Sequence, residues 1–164
     1  QTLSRYIEDM SMKDLPDCGI YRTSQEIEGI PAERLVYFHN HGNPGPGIYL
    51  PEKWHNNQVQ FSPKGRTLTD PMLAHTLEPI MPQALYRVGR EFYCCSKKCV
   101  LFKVNQVVQL GYDGKANPIL FFPFWNNSEL CFPKQGTRID AENFQFLEAL
   151  HIQVQSKHDP GMMH

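Results

Sequence analysis

Two stretches of this sequence, 65 residues apart, follow the same pattern. Residues 19–27 (GIYRTSQEI) match residues 84–92 (ALYRVGREF) without a gap, and residues 35–51 match residues 107–123 in the same way. Three shorter blocks follow in the same order: KWHNN at 53–57 with FWNN at 124–127, FSPKGRTL at 61–68 with FPKQGTRI at 132–139, and Asp70 and Leu77-Glu78 with Asp140 and Leu147-Glu148. Turn residues alone can produce one such block by chance, but five collinear blocks indicate a tandem duplication.

The duplication also predicts a fold class. Each copy is roughly 65–70 residues long and contains three or four short apolar runs, separated by turn residues, before one short helical segment. A sheet of three or four strands with one helix is marginally stable alone, so the two copies are expected to share a core. We predict a mainly β (β-rich α+β) protein, in which two βββ(β)α units form two packed sheets or a shared barrel.

The predicted chain has four parts within one compact folding unit: an N-terminal helical segment (1–16), a β-rich repeat 1 (19–80), a β-rich repeat 2 (84–155) and a flexible tail (156–164). The first segment is predicted to be a helix because its apolar residues share one helical face: Leu3, Tyr6, Ile7 and Met10. The predicted strands are rich in aromatic and β-branched residues: 19–27, 34–39, 47–51, 59–61, 84–93, 99–104, 106–111, 118–124 and 152–155. The short helices of the two repeats are expected to begin at Thr69 or Asp70 and at Asp140, since Thr and Asp are favoured N-caps.

The stretch HNHGNPGPG at residues 39–47 is either a turn or a metal site. It aligns with GYDGKANPI at 111–119, which keeps glycine and proline at the same offsets. Glycine reaches positive φ without a steric cost, so the shared pattern is typical of a hairpin connection. The two histidines, His39 and His41, occur only in the first copy and need a separate explanation.

In an extended strand, His39 and His41 point to the same face, because the side-chain period is two. Glu52 and His55 follow the return strand. Imidazoles and a carboxylate leave a metal with open positions for water or substrate. We therefore predict these four residues as candidate ligands of zinc or another divalent metal. The alternative is a turn that carries solvated histidines, and no other cofactor is expected.

The second copy has about seven extra residues within the segment FYCCSKKCVLFKVNQ, which contains three of the five cysteines. A hairpin tip at Ser96-Lys97-Lys98 would put Cys95 and Cys99 on one face. Three interpretations remain open: a metal site with Cys131 or a histidine, a disulfide or redox pair favoured by the two lysines, or small buried side chains. We name Cys95, Cys99 and Cys131 as candidate redox or structural thiols.

Charge excludes two classes of partner. The chain has 16 Lys and Arg against 17 Asp and Glu, and the basic residues are not clustered. Binding to nucleic acid or to anionic lipid needs clustered cations, so neither partner is expected. No apolar run approaches the roughly 20 residues that span a bilayer. The start of the sequence does not resemble a signal peptide, and the odd cysteine count does not resemble a secreted disulfide framework, so a cytoplasmic location is predicted.

These observations support two functional hypotheses. The first is a non-enzymatic binding or interaction module, with a protein or small-molecule partner in the cleft between the repeats, where domain junctions often hold ligands. The alternative is a small metal-dependent or thiol-dependent enzyme or sensor that uses the His or Cys residues unique to one repeat, including a catalytic Cys–His pair across the interface. A pseudo-twofold arrangement would further pair Arg22 with Glu91 and Arg87 with Glu26.

Overall fold

A computed structural model describes residues 14–150 of the chain, and its secondary structure confirms the mainly β prediction. The predicted N-terminal helix, the strand predicted at 152–155 and the tail at 156–164 lie outside these residues, apart from residues 14–16, which form a turn and a loop. Within 14–150, no helix has the length and apolar character needed to cross a membrane.

Two units follow one another along the chain. The first unit comprises β1 (Gly19–Thr23), β2 (Leu35–His39), β3 (Gly47–Tyr49), β4 (Pro51–His55), β5 (Gln58–Phe61), β6 (Arg66–Thr67), a first 3-10 helix (Pro71–Thr76) and β7 (Leu77–Pro79). The second unit comprises β8 (Ala84–Val88), β9 (Phe92–Tyr93), β10 (Leu101–Phe102), β11 (Val107–Tyr112), β12 (Pro118–Phe121), β13 (Phe124–Asn126), β14 (Glu129–Cys131), β15 (Thr137–Arg138), a second 3-10 helix (Ala141–Phe146) and β16 (Leu147–Ala149).

Each unit contains a five-stranded antiparallel sheet, and the two sheets have the same strand order. The first is ordered β6–β3–β2–β1–β7 and the second β15–β12–β11–β8–β16. The remaining strands form three two-stranded hairpins: β4–β5, β9–β10 and β13–β14. No sheet within the described part of the chain is closed, so the shared-barrel alternative is wrong.

The two units pack on each other through a joint core. One cluster of buried apolar side chains, including Val36, Phe38 and Ile48, belongs to the first unit. The larger cluster belongs mainly to the second unit but also contains Leu35 and Val59 of the first. Apolar side chains from β2 and β5 thus remove surface of both units from water, which stabilises the pair together.

Salt bridges form within each unit. Arg22 pairs with Glu78, its neighbour across β1 and β7, with the charged atoms 3.6 Å apart. Arg87 and Glu148 form the corresponding pair across β8 and β16. The predicted pairing of Arg22 with Glu91 across the units is therefore wrong. Each arginine instead pairs with a glutamate on the adjacent edge strand, which the sequence did not reveal as a strand.

The two short helices begin as predicted, at Asp70 and Asp140, but only one aspartate forms a side-chain cap. Asp70 accepts a hydrogen bond from the backbone N–H of Met72 at 3.0 Å, whereas the side chain of Asp140 forms no cap hydrogen bond. Both helices are 3-10 helices, and the first N–H groups of such a helix also lack partners within the helix, so a side-chain acceptor at the start satisfies one of them.

The two caps provide a matched comparison of stability. Asp70→Ala is expected to lower the free energy of unfolding by about 1 kcal/mol, because the N–H of Met72 loses its acceptor. Asp140→Ala, at the equivalent position, is expected to change it by less than about 0.5 kcal/mol. Urea denaturation of both variants measures the difference, and equal losses would show that the Asp70 carboxylate does not act as a cap.

The β4–β5 hairpin of the first unit lies on the central strand of the second. The indole N–H of Trp54 donates to the carbonyl of Tyr112 at 2.7 Å, and the side-chain amide of Gln58 donates to the carbonyl of Leu110 at 3.3 Å. Between them, a Cβ at Gly111 would lie 2.6 Å from the backbone oxygen of Asn57. The hairpin therefore needs a glycine at this point of β11 to approach so closely.

The corresponding hairpin of the second unit, β13–β14, has the same register but a different environment. Trp125 pairs with Leu130 as Trp54 pairs with Val59. However, 72% of the Trp125 side chain is exposed, and Leu130 is also exposed. One hairpin is thus seated on a neighbouring sheet and its counterpart is uncovered among the described residues.

Candidate metal centre

Three metal-ligating side chains meet at the start of the first sheet. Because β1 pairs antiparallel with β2 and places Gly19 opposite Phe38, Cys18 comes opposite His39. His41 follows two residues later, before Gly42, whose φ of +152° turns the chain. The ligand atoms of Cys18, His39 and His41 all lie within 4.8 Å of one another. The hairpin turn and the metal-ligand geometry therefore coexist in this stretch.

The separations of these atoms match those of ligands around one metal ion. Cys18 Sγ lies 3.5 Å from His39 Nδ1 and 3.8 Å from His41 Nδ1. In a tetrahedral zinc site, Zn–S of about 2.3 Å and Zn–N of about 2.0–2.1 Å separate sulfur and nitrogen by about 3.6 Å. The two imidazole rings, whose centroids are 3.9 Å apart, direct both Nδ1 atoms towards the sulfur. The two sulfur–nitrogen separations therefore lie close to those of ligands that share one zinc ion.

Asn40 organises the centre from its edge. Its side-chain N–H donates to the carbonyl of Pro16 at 3.2 Å, which fixes the orientation of the amide. Its Oδ1 accepts from the Cys18 thiol at 3.2 Å and lies 2.7 Å from His41 Nδ1. The backbone N–H of Asn40 also donates to Cys18 Sγ at 3.3 Å. Asn40 Oδ1 thus lies close enough to the cluster to supply a fourth ligand.

Two cavities border the centre. One, of about 330 Å³, is lined by His39 together with the aromatic side chains of Tyr37, Tyr49 and Phe61. The other, of about 590 Å³, is lined by Cys18, by residues of the first unit and by the segment that links it to β8. Cys18 and His41 are exposed and His39 is half-buried, so both solvent and small molecules can reach the ligand atoms.

The structure separates the four residues proposed from sequence as metal ligands. His39 and His41 lie together, whereas Glu52 and His55 are exposed on β4 and belong to no cluster of three potential ligands within residues 14–150. Cys18 was not proposed, because it lies before β1 and far from the histidines in sequence. Cys18 could have been found from the sequence by pairing the predicted strand at 19–27 with the predicted strand at 34–39.

A second cluster of potential ligands lies in the β9–β10 hairpin. The sulfurs of Cys94, Cys95 and Cys99 lie within 4.8 Å of one another, and those of Cys94 and Cys95 are 3.7 Å apart. Cys95 and Cys99, the residues proposed from sequence, are thus together, but Cys131 lies on β14 and outside the cluster. Cys94 takes its place, and all these cysteines are free thiols.

Burial and hydrogen bonding act on the thiols of this cluster in opposite directions. Burial raises the pKa of Cys94, but hydrogen bonds, first that from the backbone N–H of Val100, outweigh it and lower the pKa below its usual value. Burial and the adjacent thiols Cys95 and Cys94 raise the pKa of Cys99. The hairpin therefore stabilises a thiolate at Cys94 and disfavours a second negative charge at Cys99.

A third cavity, of about 370 Å³, lies in the predicted cleft between the units. The first unit contributes Arg22 and Glu78, which pair with each other, and the second contributes Tyr112. The hydroxyl of Tyr112 donates to the carbonyl of Met81 at 2.7 Å, and burial raises its pKa well above its usual value. These polar groups are therefore already engaged, Arg22 and Glu78 with each other inside the first unit and Tyr112 with the segment that links the units.

Comparisons with known proteins leave the site to be interpreted from its geometry, since no family model, curated protein or solved structure matches the chain.

Proposed function

We propose that this chain is a metal-binding protein whose first unit holds zinc through Cys18, His39 and His41. The observation that carries the proposal is the convergence of one thiol and two imidazoles at sulfur–nitrogen separations of 3.5 and 3.8 Å. A Cys-His-His set with one open position suits zinc, which accepts nitrogen and sulfur ligands in tetrahedral geometry. The open position would take Asn40 Oδ1, water or a small molecule.

The surroundings support a site that exchanges its fourth ligand rather than a closed structural one. Two of the three ligands are exposed, and one cavity is lined by His39 and another by Cys18. Asn40 Oδ1 accepts a hydrogen bond from the Cys18 thiol. Metal binding must displace this proton, because the thiolate is the ligand form, and zinc affinity should therefore rise with pH. An enzyme or a sensor would both use such a site.

Zinc content of protein purified without chelator tests the proposal. Cys18→Ser and the double variant His39→Ala/His41→Ala should each lose one equivalent of zinc per chain relative to the wild type. Binding to this site should weaken by about 100-fold or more, since loss of an outer-shell partner alone costs roughly 10–100-fold. Mass spectrometry of the metal and competition with a chromophoric chelator measure the two quantities.

The matched control is His55→Ala, which removes an exposed histidine of the same unit from outside the cluster. It should retain the wild-type zinc content and affinity. If His55→Ala loses as much zinc as Cys18→Ser, or if Cys18→Ser loses none, the proposed ligand set is wrong. Far-ultraviolet circular dichroism of each variant verifies that the fold persists, which is expected because Cys18 and His41 are exposed.

We also propose that the two units arose by tandem duplication. Support comes from the equal strand order of the two sheets, and from the equivalent pairs Arg22–Glu78 and Arg87–Glu148. In this account the metal ligands are later additions to the first copy.

The cytoplasmic location predicted from sequence also remains a proposal, supported by exposed free thiols such as Cys18, which persist in a reducing compartment.

The interaction module remains the second candidate, favoured by the exposed β13–β14 hairpin. Its counterpart β4–β5 binds a neighbouring sheet through Trp54, so Trp125 would contact a partner sheet that offers a backbone carbonyl and a glycine. The cavity between the units is a second place for a partner. If the wild-type protein does not contain stoichiometric zinc, the interaction module becomes the favoured function.

A further inference from the structure

The connection between β9 and β10 is longer than the corresponding connection in the first unit. β1 and β8 align at a separation of 65 residues, whereas β2 and β11 align at 72, so seven additional residues lie between the aligned strands. In the first unit, Ile27 pairs with Ile30 across a tight turn. At the equivalent place, Phe92 pairs with Phe102, and the longer connection between them carries all three clustered cysteines.

Backbone hydrogen bonds hold this connection in one conformation. The N–H of Cys94 donates to the carbonyl of Val100 at 2.9 Å, and the N–H of Val100 donates back to Cys94 Sγ at 3.3 Å. The N–H of Lys98 donates to the carbonyl of Cys95 at 3.0 Å. The backbone N–H of Asp140 donates to the carbonyl of Cys94 at 3.1 Å and thereby attaches the connection to the start of the second 3-10 helix. The sulfurs are therefore preorganised.

The sulfur geometry matches one thiophilic ion. Four ligands at the Zn–S distance of about 2.3 Å in a tetrahedron are separated by about 3.8 Å. Cys94 and Cys95 are adjacent in sequence, and side chains of adjacent strand residues point to opposite faces. Here the turn brings their sulfurs to 3.7 Å and adds Cys99 within 4.8 Å. Cysteines that only fill space in a core need not bring their sulfurs together, whereas cysteines that bind one ion must.

Charge also favours a cation among the three sulfurs. Several thiolates so close together repel one another, and a divalent ion removes that repulsion. The exposed lysines Lys97 and Lys98 lie in the same turn, and the Lys98 ammonium lies 5.4 Å from the centroid of Tyr93. One zinc with three thiolates carries a single negative charge, which these lysines offset.

We propose that Cys94, Cys95 and Cys99 form a second zinc site with three thiolate ligands and an open fourth position. Thiolates are soft ligands, so this site should prefer soft ions such as Cd²⁺ more strongly than the Cys-His-His centre does. The proposal is independent of that centre, since the two sites share no residue and lie in different units. The protein should therefore bind two zinc ions per chain.

Cobalt substitution distinguishes the two sites under reducing conditions. Tetrahedral Co²⁺ gives visible absorption, and each thiolate adds near-ultraviolet charge transfer. Cys99→Ser should lose one equivalent of Co²⁺ and most of the charge-transfer band, and its zinc affinity at this site should fall about 100-fold or more. Cys131→Ser is the matched control, because it removes a half-buried thiol from outside the cluster, and it should retain both equivalents.

The outcomes separate the two proposals. Loss of one zinc in Cys99→Ser, with Cys18→Ser losing only the other, supports both sites. If Cys99→Ser and Cys95→Ser each keep the wild-type stoichiometry, the thiolate site is overturned whatever Cys18→Ser shows. If Cys99→Ser loses zinc while Cys18→Ser does not, the thiolate site stands and the Cys-His-His centre falls. Cys99 is exposed, so its substitution should not unfold the chain.

Discussion

Phe102→Ala should lower the free energy of unfolding by about 3–5 kcal/mol, the range for deleting a buried aromatic side chain. Phe102 is fully buried on β10, and its ring is stacked between those of Phe92 and Phe122, with centroids 5.0 and 5.3 Å away. Its removal leaves a cavity that these rings cannot fill without moving the hairpin. Urea denaturation followed by circular dichroism measures the loss.

Phe124→Ala is the control for this substitution, because Phe124 is about half exposed on the β13–β14 hairpin. Its effect should stay within about 0.5 kcal/mol, as for most surface substitutions. A loss of less than about 1 kcal/mol in Phe102→Ala would be far below the range for a buried phenylalanine and would contradict the packing of the β9–β10 hairpin. Since the same hairpin carries Cys94, its loosening should also weaken the thiolate site.

Gly111→Ala should destabilise the protein by about 1–3 kcal/mol, the usual cost of forcing an extra carbon into a packed region. The new Cβ would lie 2.6 Å from the backbone oxygen of Asn57, and the β4–β5 hairpin would have to move off β11. That movement would break the hydrogen bond from Trp54 to the carbonyl of Tyr112. In a Trp125→Phe background, the fluorescence of Trp54 should shift to the red as the indole becomes more exposed.

Gly19→Ala is the matched control, since Gly19 also lies in a strand but a Cβ there meets nothing within 4 Å. It should leave stability unchanged or raise it slightly, because alanine restricts the unfolded chain more than glycine does. Equal effects of the two substitutions, with no change in Trp54 fluorescence, would mean that the hairpin does not rest on Gly111.

Sequence patterns predicted the long strands because their apolar residues are dense enough to mark them. β2 and β11 are examples, each with several buried apolar side chains. The edge strands were missed because they are short and carry polar residues, as in Arg66–Thr67 and Thr137–Arg138. Two residues are too few to show a period of two. Hydrogen bonding to a neighbouring strand, which depends on the assembled sheet, defines such strands.

The failure to predict the edge strands also explains the incorrect ion pairs. Without a strand at Leu77–Pro79, the sequence offered no cross-strand partner for Arg22, and a distant glutamate was assigned instead.

The candidate metal centre was partly predictable for a related reason. His39 and His41 share a strand face by periodicity alone, but Cys18 joins them only through the register of β1 against β2. Likewise, Cys94 joins Cys95 only because the turn interrupts strand alternation.

The contact between the units is asymmetric, because the β4–β5 hairpin of the first unit packs on β11 of the second. The first unit donates β4–β5 and the second accepts it at Gly111, so the contact joins two different surfaces and has no twofold symmetry. The equivalent hairpin of the second unit, which carries Trp125, is uncovered among residues 14–150, whereas the strand of the first unit that corresponds to β11 carries His39 at the position equivalent to Gly111. A side chain at this position, unlike the glycine of β11, leaves no room for a hairpin packed as β4–β5 is. The residue that we propose as a zinc ligand would therefore also block a second contact of this kind at the first unit.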